Sequence, residues 1–122
     1  MTDNPVIYHN PDCSKSRQAL SLLRDLGLDP TIRNYLEQPP SRDELLTLIG
    51  QLDDLPGCLI RAPEPVAPAA VAEGAAATAR AVADLLIADP ARLQRPIVVY
   101  NGKAIIARPP WRLLALIQGE SH

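Results

Sequence analysis

Residues 6–27 read VIYHNPDCSKSRQALSLLRDLG, and their pattern indicates the fold class. It begins with a β-prone run at residues 6–8, which a short loop follows. From residue 14 to residue 26 the apolar side chains recur at helical spacing, and Gly27 ends the helix. A second β-prone run at residues 31–35 then completes a β–loop–α–β unit with the length of a parallel crossover.

The next part of the chain is predicted to be largely helical. Pro39-Pro40 break the chain, and Ser41 with Glu44 three residues later forms a capping box for a helix that continues to Leu52. Residues 53–68 are rich in proline and are predicted to be irregular. In the alanine-rich part, residues 69–77 carry little information, and we expect Thr78 to cap a helix that Asp89-Pro90 end.

The C-terminal part predicts a hairpin and a last helix. Two β-prone runs, residues 96–100 and 103–107, flank Asn101-Gly102, and both turn residues tolerate the positive φ of a type I′ turn. Residues 111–117 are expected to form a short helix. The element order indicates an α/β, thioredoxin-like fold: a mixed sheet of about four strands flanked by helices, with a helical insertion between the second and third strands.

Composition limits the classes of function. The chain has 122 residues, of which 47% are hydrophobic, and this suits one domain spanning residues 1–122. It has neither a signal-peptide pattern nor an apolar run that could span a membrane, so we expect a soluble, cytoplasmic protein. The net charge of -2 gives no reason to expect nucleic acid as a partner. We expect a monomer.

Cysteine and histidine are too few for a metal site. The chain has two cysteines, Cys13 and Cys58, and two histidines, His9 and His122. Two thiols make no disulfide framework, and no cluster of these residues has zinc-ligand spacing. We therefore expect neither a metal nor a bound cofactor.

Cys13 is the candidate nucleophile. It lies where the loop meets the first helix, so unpaired backbone N–H groups and the positive end of the helix dipole favour its thiolate. Thiols in such positions have pKa values of about 3.5–7.5, against about 8.5 for a free cysteine. The Ser16 hydroxyl can reach back toward the sulfur, and Arg17 adds positive charge. His9 can donate a hydrogen bond or shuttle a proton. The alternative is that His9 is a loop residue with no functional role.

Several blocks of the sequence resemble one family. Residues 8–17 (YHNPDCSKSR) are similar to the signature of the glutaredoxin-coupled arsenate reductases. Residues 35–37 (YLE), 39–45 (PPSRDEL), 95–99 (RPIVV) and Arg108-Pro109 match the same family in order and spacing. The sequence around Cys13 and after the hairpin is most similar to the arsenate reductase-like subgroup.

The resemblance implies the following roles for residues. In the family a cysteine attacks arsenate while three arginines hold the oxyanion, which would be Arg61, Arg95 and Arg108 here, with Arg17 as a further candidate. Several guanidinium donors suit a multivalent oxyanion. The family also implies that His9 and Ser16 keep Cys13 ionised, and that the Arg95-Pro96 bond is cis.

Two residues leave alternatives open. The sequence after Arg61 departs from the family, because Ala62-Pro63 and an alanine-rich stretch replace a polar residue and a recognisable helix. Cys58 is either a resolving thiol or a partly buried bystander, and the second interpretation is preferred because nothing near it activates a thiol.

The leading hypothesis is a glutathione- and glutaredoxin-dependent arsenate reductase, an oxidoreductase that converts arsenate to arsenite through a Cys13 adduct. Ser16 stands where a second cysteine would stand, so an outside thiol, glutathione with glutaredoxin, must resolve the adduct. One alternative is a glutathione-dependent thiol oxidoreductase that does not act on arsenate. Another is a redox-linked regulatory module resembling the family's RNA-polymerase-binding relatives.

Overall fold

The first strand and helix form as the sequence predicts. In a computed structural model, which describes residues 4–52, 54, 56–61 and 75–118, β1 spans Val6–His9 and α1 spans Ser14–Asp25. Gly27 adopts a φ of +82° just after α1, a conformation that glycine adopts without strain. β2 spans Thr31–Asn34 and pairs in parallel with β1, so the predicted crossover is confirmed.

The sheet is mixed and has four strands among the described residues. Its order is β2-β1-β3-β4, where β3 is Ile97–Tyr100 and β4 is Lys103–Ile106. β3 runs antiparallel to both β1 and β4. Asn101 and Gly102 join β3 to β4 with φ values of 52° and 77°, as a type I′ turn requires.

The α2 helix spans Arg42–Gln51 and begins with the predicted capping box. The Ser41 hydroxyl accepts a bond from the Glu44 backbone N–H, and the Glu44 carboxylate accepts one from the Ser41 N–H. The same carboxylate takes two bonds from the Arg33 guanidinium, at 2.7 and 3.1 Å. This ion pair ties the start of α2 to β2.

The segment between α2 and β3 is the helical insertion. It contains a 3-10 turn at Pro56–Leu59, the α3 helix at Ala75–Ala88 and a second 3-10 turn at Pro90–Arg92. Thr78 lies inside α3, so the prediction that it caps the helix is wrong; the high helix propensity of alanine extends the helix toward its N-terminus. Residues 62–74 lie outside the described residues, and with them most of the alanine-rich stretch 69–77.

Helices cover both faces of the sheet. One face packs against α2 and α3, and its buried set includes Tyr8, Ile97 and Ile106. The other face packs against α1 and against α4, which spans Leu113–Gln118 after a 3-10 turn at Pro110–Arg112. The predicted thioredoxin-like architecture is thus confirmed. Among the helices that the structure describes, none is both long enough and apolar enough to cross a bilayer.

Candidate active site

Cys13 is the N-cap residue of α1, at the carboxyl end of β1. Its backbone N–H donates to the carbonyl oxygen of Asn10, and its carbonyl oxygen accepts the bond from the Arg17 N–H, both at 3.0 Å. The N–H groups of the first helical turn therefore have no helical partner and are free to bond to the sulfur. The side chain is a half-buried free thiol.

The surroundings of Cys13 favour its thiolate. Burial is the largest single influence and raises the pKa of Cys13, but the remaining influences outweigh it and the pKa is lowered. They are hydrogen bonds from the backbone N–H groups of Ser16 and Lys15, a hydrogen bond from the Arg95 side chain, and the Arg95 charge. Each of them stabilises a negative sulfur more than a neutral one.

His9 and Ser16 are joined to each other. His9 is the buried last residue of β1, and its Nδ1 atom lies 2.6 Å from the Ser16 Oγ atom. The Asn10 backbone N–H donates to the same Oγ at 3.0 Å. Ser16 thus acts on Cys13 through its backbone N–H. Its hydroxyl, which was predicted to reach back toward the sulfur, bonds instead to His9 and to the Asn10 N–H and holds the loop after β1 against α1. Burial lowers the pKa of His9, and the charge of Arg17 lowers it further, so the ring is neutral at pH 7.

Two of the predicted arginines converge on the sulfur. The Nη1 atom of Arg108 lies 4.0 Å from Cys13 Sγ and also donates to the carbonyl oxygen of Arg95 at 3.0 Å. The Nε atom of Arg95 is buried without a hydrogen-bond partner. Both arginines precede a cis proline, Pro96 and Pro109. The predicted cis bond before Pro96 is confirmed, whereas the bond before Pro109 was not foreseen.

Arg61 reaches the same region by a short backbone pairing. Its N–H donates to the carbonyl oxygen of Arg92 at 2.6 Å, and the Gln94 N–H donates to the Leu59 carbonyl oxygen at 2.6 Å. This antiparallel contact places Arg61 beside the segment that leads into Arg95. Its side chain is exposed and is therefore free to approach a ligand.

Arg17 lies at the outer side of the loop. Its Nη1 atom donates to the carbonyl oxygen of Pro11 at 2.7 Å, which braces the loop. A role for Arg17 in binding substrate stays a prediction. Among the residues described, no group of three or more His, Cys, Asp or Glu side chains is placed to hold a metal ion.

The sequence profile of the ArsC family matches residues 8–116, from β1 to α4. The chain belongs to the ArsC, or arsenate reductase, family. An arsenate reductase of Escherichia coli is 38% identical over 116 residues, covering 94% of this chain and 82% of the relative. The uncharacterized protein YfgD of Escherichia coli (strain K12) is 36% identical over 120 residues, covering 96% of this chain and 99% of the relative.

A solved ArsC-type structure has the same fold. The arsenate reductase from Vibrio cholerae superposes with a TM-score of 0.76 at 36% identity, covering 93% of this chain and 98% of that one. Both kinds of comparison therefore support the family that the resemblance predicted.

The sequence did not reveal every residue at this ArsC site. Tyr35 directly follows β2, and its ring is fully buried near the site. The available signal was positional, because residues at the carboxyl ends of adjacent parallel strands share one edge of the sheet. Cys58 is exposed in the 3-10 turn before Arg61, so the prediction of a partly buried thiol is wrong.

Proposed function

We propose that this protein is an arsenate reductase that uses Cys13 as the nucleophile and takes its electrons from glutathione and a glutaredoxin. The observation that carries the proposal is the convergence of Arg95 and Arg108 on a cysteine whose pKa is lowered. A thiolate beside guanidinium groups suits attack on a tetrahedral oxyanion, whose charge would otherwise repel a negative sulfur.

In the first step the Cys13 thiolate attacks the arsenic atom of arsenate. An S–As bond forms, an As–O bond breaks, and the leaving oxygen departs as water after taking up protons. The guanidinium groups of Arg61, Arg95 and Arg108 neutralise the charge on the remaining oxygens. Family relatives named arsenate reductases support this substrate.

In the next steps two outside thiols supply the two electrons. Glutathione sulfur adds to arsenic and displaces a second water. A glutaredoxin thiolate then attacks the glutathione sulfur, so the As–S electron pair stays on arsenic, which becomes As(III), and a mixed disulfide leaves. Water cleaves the bond between Cys13 and arsenic and releases arsenite. Ser16 supports this route, because it cannot form a disulfide with Cys13.

The test is arsenite production from arsenate with glutathione and glutaredoxin supplied, for the wild type, Cys13→Ser and Cys58→Ser. We expect the wild type and Cys58→Ser to be equally active and Cys13→Ser to be inactive. Loss of turnover in Cys58→Ser would overturn the external-thiol route. Absence of arsenite from a wild type that still reduces a glutathionylated substrate would replace the proposal with a thiol oxidoreductase that does not act on arsenate.

A further inference from the structure

Tyr35 lies at the same edge of the sheet as the Cys13 loop. β1 and β2 are parallel, and their last residues, His9 and Asn34, pair with each other. Asn10 and Tyr35 directly follow these two residues and therefore lie side by side at the carboxyl ends of the strands. The side chain of Tyr35 has no exposed surface, yet its hydroxyl has no hydrogen-bond partner. Buried hydroxyl groups are almost always paired, so this one needs a reason.

Three charged groups of the site act electrostatically on this hydroxyl. Burial is the largest influence on the Tyr35 pKa and raises it, and the positive charge of Arg95 opposes that effect. The charges of Cys13 and Arg61 also act on the hydroxyl, so all three groups lie within electrostatic reach of it.

The Asn10 side chain does not serve as the missing hydrogen-bond partner of the Tyr35 hydroxyl. It lies close enough to lower the pKa of Tyr35, but no hydrogen bond of standard geometry joins the two groups. Lowering this pKa is the effect of an amide N–H that faces the phenolic oxygen, not of an amide oxygen that accepts the phenolic proton, and the Asn10 Oδ1 atom accepts from the Asp12 N–H at 2.9 Å. The proton of the Tyr35 hydroxyl is therefore available to another acceptor.

Among the described residues, a second buried side-chain atom without a hydrogen-bond partner belongs to the same site. The Arg95 Nε–H is a donor, and so is the Tyr35 O–H. Two unpaired donors near one nucleophilic sulfur would both be satisfied by a ligand that carries several acceptor oxygens and a negative charge.

We infer that Tyr35 is a further substrate-binding residue, which donates its hydroxyl proton in a hydrogen bond to an oxygen of a tetrahedral oxyanion held beside Cys13. The Arg95 Nε–H donates to the same anion. Tyr35 contributes a neutral and directional donor among the guanidinium groups, and its buried ring fixes where an acceptor oxygen must lie. The inference rests on the oxyanion-binding half of the proposed function.

The test measures binding without turnover. Alkylation of Cys13 by iodoacetamide is followed by mass spectrometry of the Cys13 peptide, with increasing arsenate, phosphate or sulfate as the protecting anion. The variants are Tyr35→Phe and, as a matched control, Tyr100→Phe. Tyr100 is the last residue of β3, which is antiparallel to β1. It therefore lies at the opposite end of the strands from the Cys13 loop.

We expect protection of Tyr35→Phe to need about 10-fold more anion than the wild type, the usual effect of losing one hydrogen bond to a charged group. Tyr100→Phe should match the wild type. The thermal midpoint of Tyr35→Phe should be unchanged or higher, because the substitution removes an unpaired buried hydroxyl. Without anion, its alkylation rate should follow the wild-type pH profile.

Equal protection of Tyr35→Phe and wild type would overturn the inference, as would a wild type that none of the three anions protects. A lower thermal midpoint with unchanged protection would assign the hydroxyl a structural role instead. Protection that depends on Tyr35, in a protein that makes no arsenite, would refute the reductase proposal and leave this inference standing.

Discussion

The backbone N–H of Arg61 donates to the carbonyl oxygen of Arg92 at 2.6 Å. These residues are far apart in the chain, and their contact is continued by an isolated antiparallel bridge between Ile60 and Leu93. The bridge brings Arg61 alongside the segment that ends in Arg95, although the sequence after Arg61 departs from the family pattern. The position of Arg61 relative to Arg95 is thus set by backbone pairing.

Replacing Arg61 with alanine should impair the reaction without unfolding the protein. Its exposed side chain is free to contact the oxyanion, and losing one charged hydrogen bond should lower kcat/KM for arsenate about 10- to 100-fold. The measurement is steady-state arsenite formation, with Arg80→Ala as the control because Arg80 is exposed on α3. Equal rates of arsenite formation in the two variants would show that Arg61 does not contact the substrate.

The reactivity of Cys13 should persist below the pH range of an ordinary thiol. Its pKa is lowered, so its rate of alkylation should reach half its maximum at a pH below that of free cysteine. Arg95→Ala should move this midpoint upward, because Arg95 supplies both a hydrogen bond and a charge to the sulfur. The midpoint of Arg80→Ala should equal the wild type.

The same lowered pKa couples Cys13 to stability. The folded protein holds the thiolate more readily than the unfolded chain does. The resulting stabilisation is present above the pKa of the unfolded thiol and is lost as the pH falls through the folded pKa.

An alkylation midpoint equal to that of free cysteine would contradict the assignment of Cys13 as an activated nucleophile.

Glu44→Gln should lower stability at neutral pH and have little effect in acid. Glutamine can still accept the Ser41 N–H bond, but it loses the ion pair with Arg33, which we expect to contribute about 1 kcal/mol because the carboxylate is partly exposed. The Arg33 hydrogen bond lowers the pKa of Glu44 to about 2. Since the folded pKa is depressed, the contribution is present above the unfolded pKa of about 4.3 and is lost as pH falls toward 2.

Urea unfolding at pH 7, 4 and 2.5 checks this prediction, with the exposed Glu37→Gln as the control for loss of one negative charge. A constant difference between Glu44→Gln and the wild type at every pH would show that the ion pair is not its source.

The same substitution should have opposite effects at two glycines. Gly102 has a φ of +77° in the hairpin turn, so Gly102→Ala should destabilise the protein by about 1 kcal/mol. Gly50 lies exposed in α2, and an added Cβ meets no atom within 4 Å. Gly50→Ala should therefore stabilise by about 0.5–1 kcal/mol. Thermal unfolding of both variants measures the effects, and a shift of the same sign in both would show that φ does not decide them.

Local patterns predicted most of the fold. The capping box at Ser41 and Glu44 needs only residues three apart, and the Asn101-Gly102 turn needs only two residues that tolerate positive φ, so both could be identified from neighbours in the chain. The start of α3 was not predicted correctly, because alanine forms helix with or without a cap at Thr78.

The β–loop–α–β unit, the hairpin and the position of Cys13 at a helix N-terminus follow from local sequence patterns, because helical and strand periodicity and the unpaired N–H groups of a first turn are local properties. Contacts between distant parts of the chain determine which groups meet the sulfur. Arg108 reaches Cys13 across 95 residues, and the Tyr35 hydroxyl lies buried and unpaired near it, because strand pairing and burial join segments that no local pattern relates.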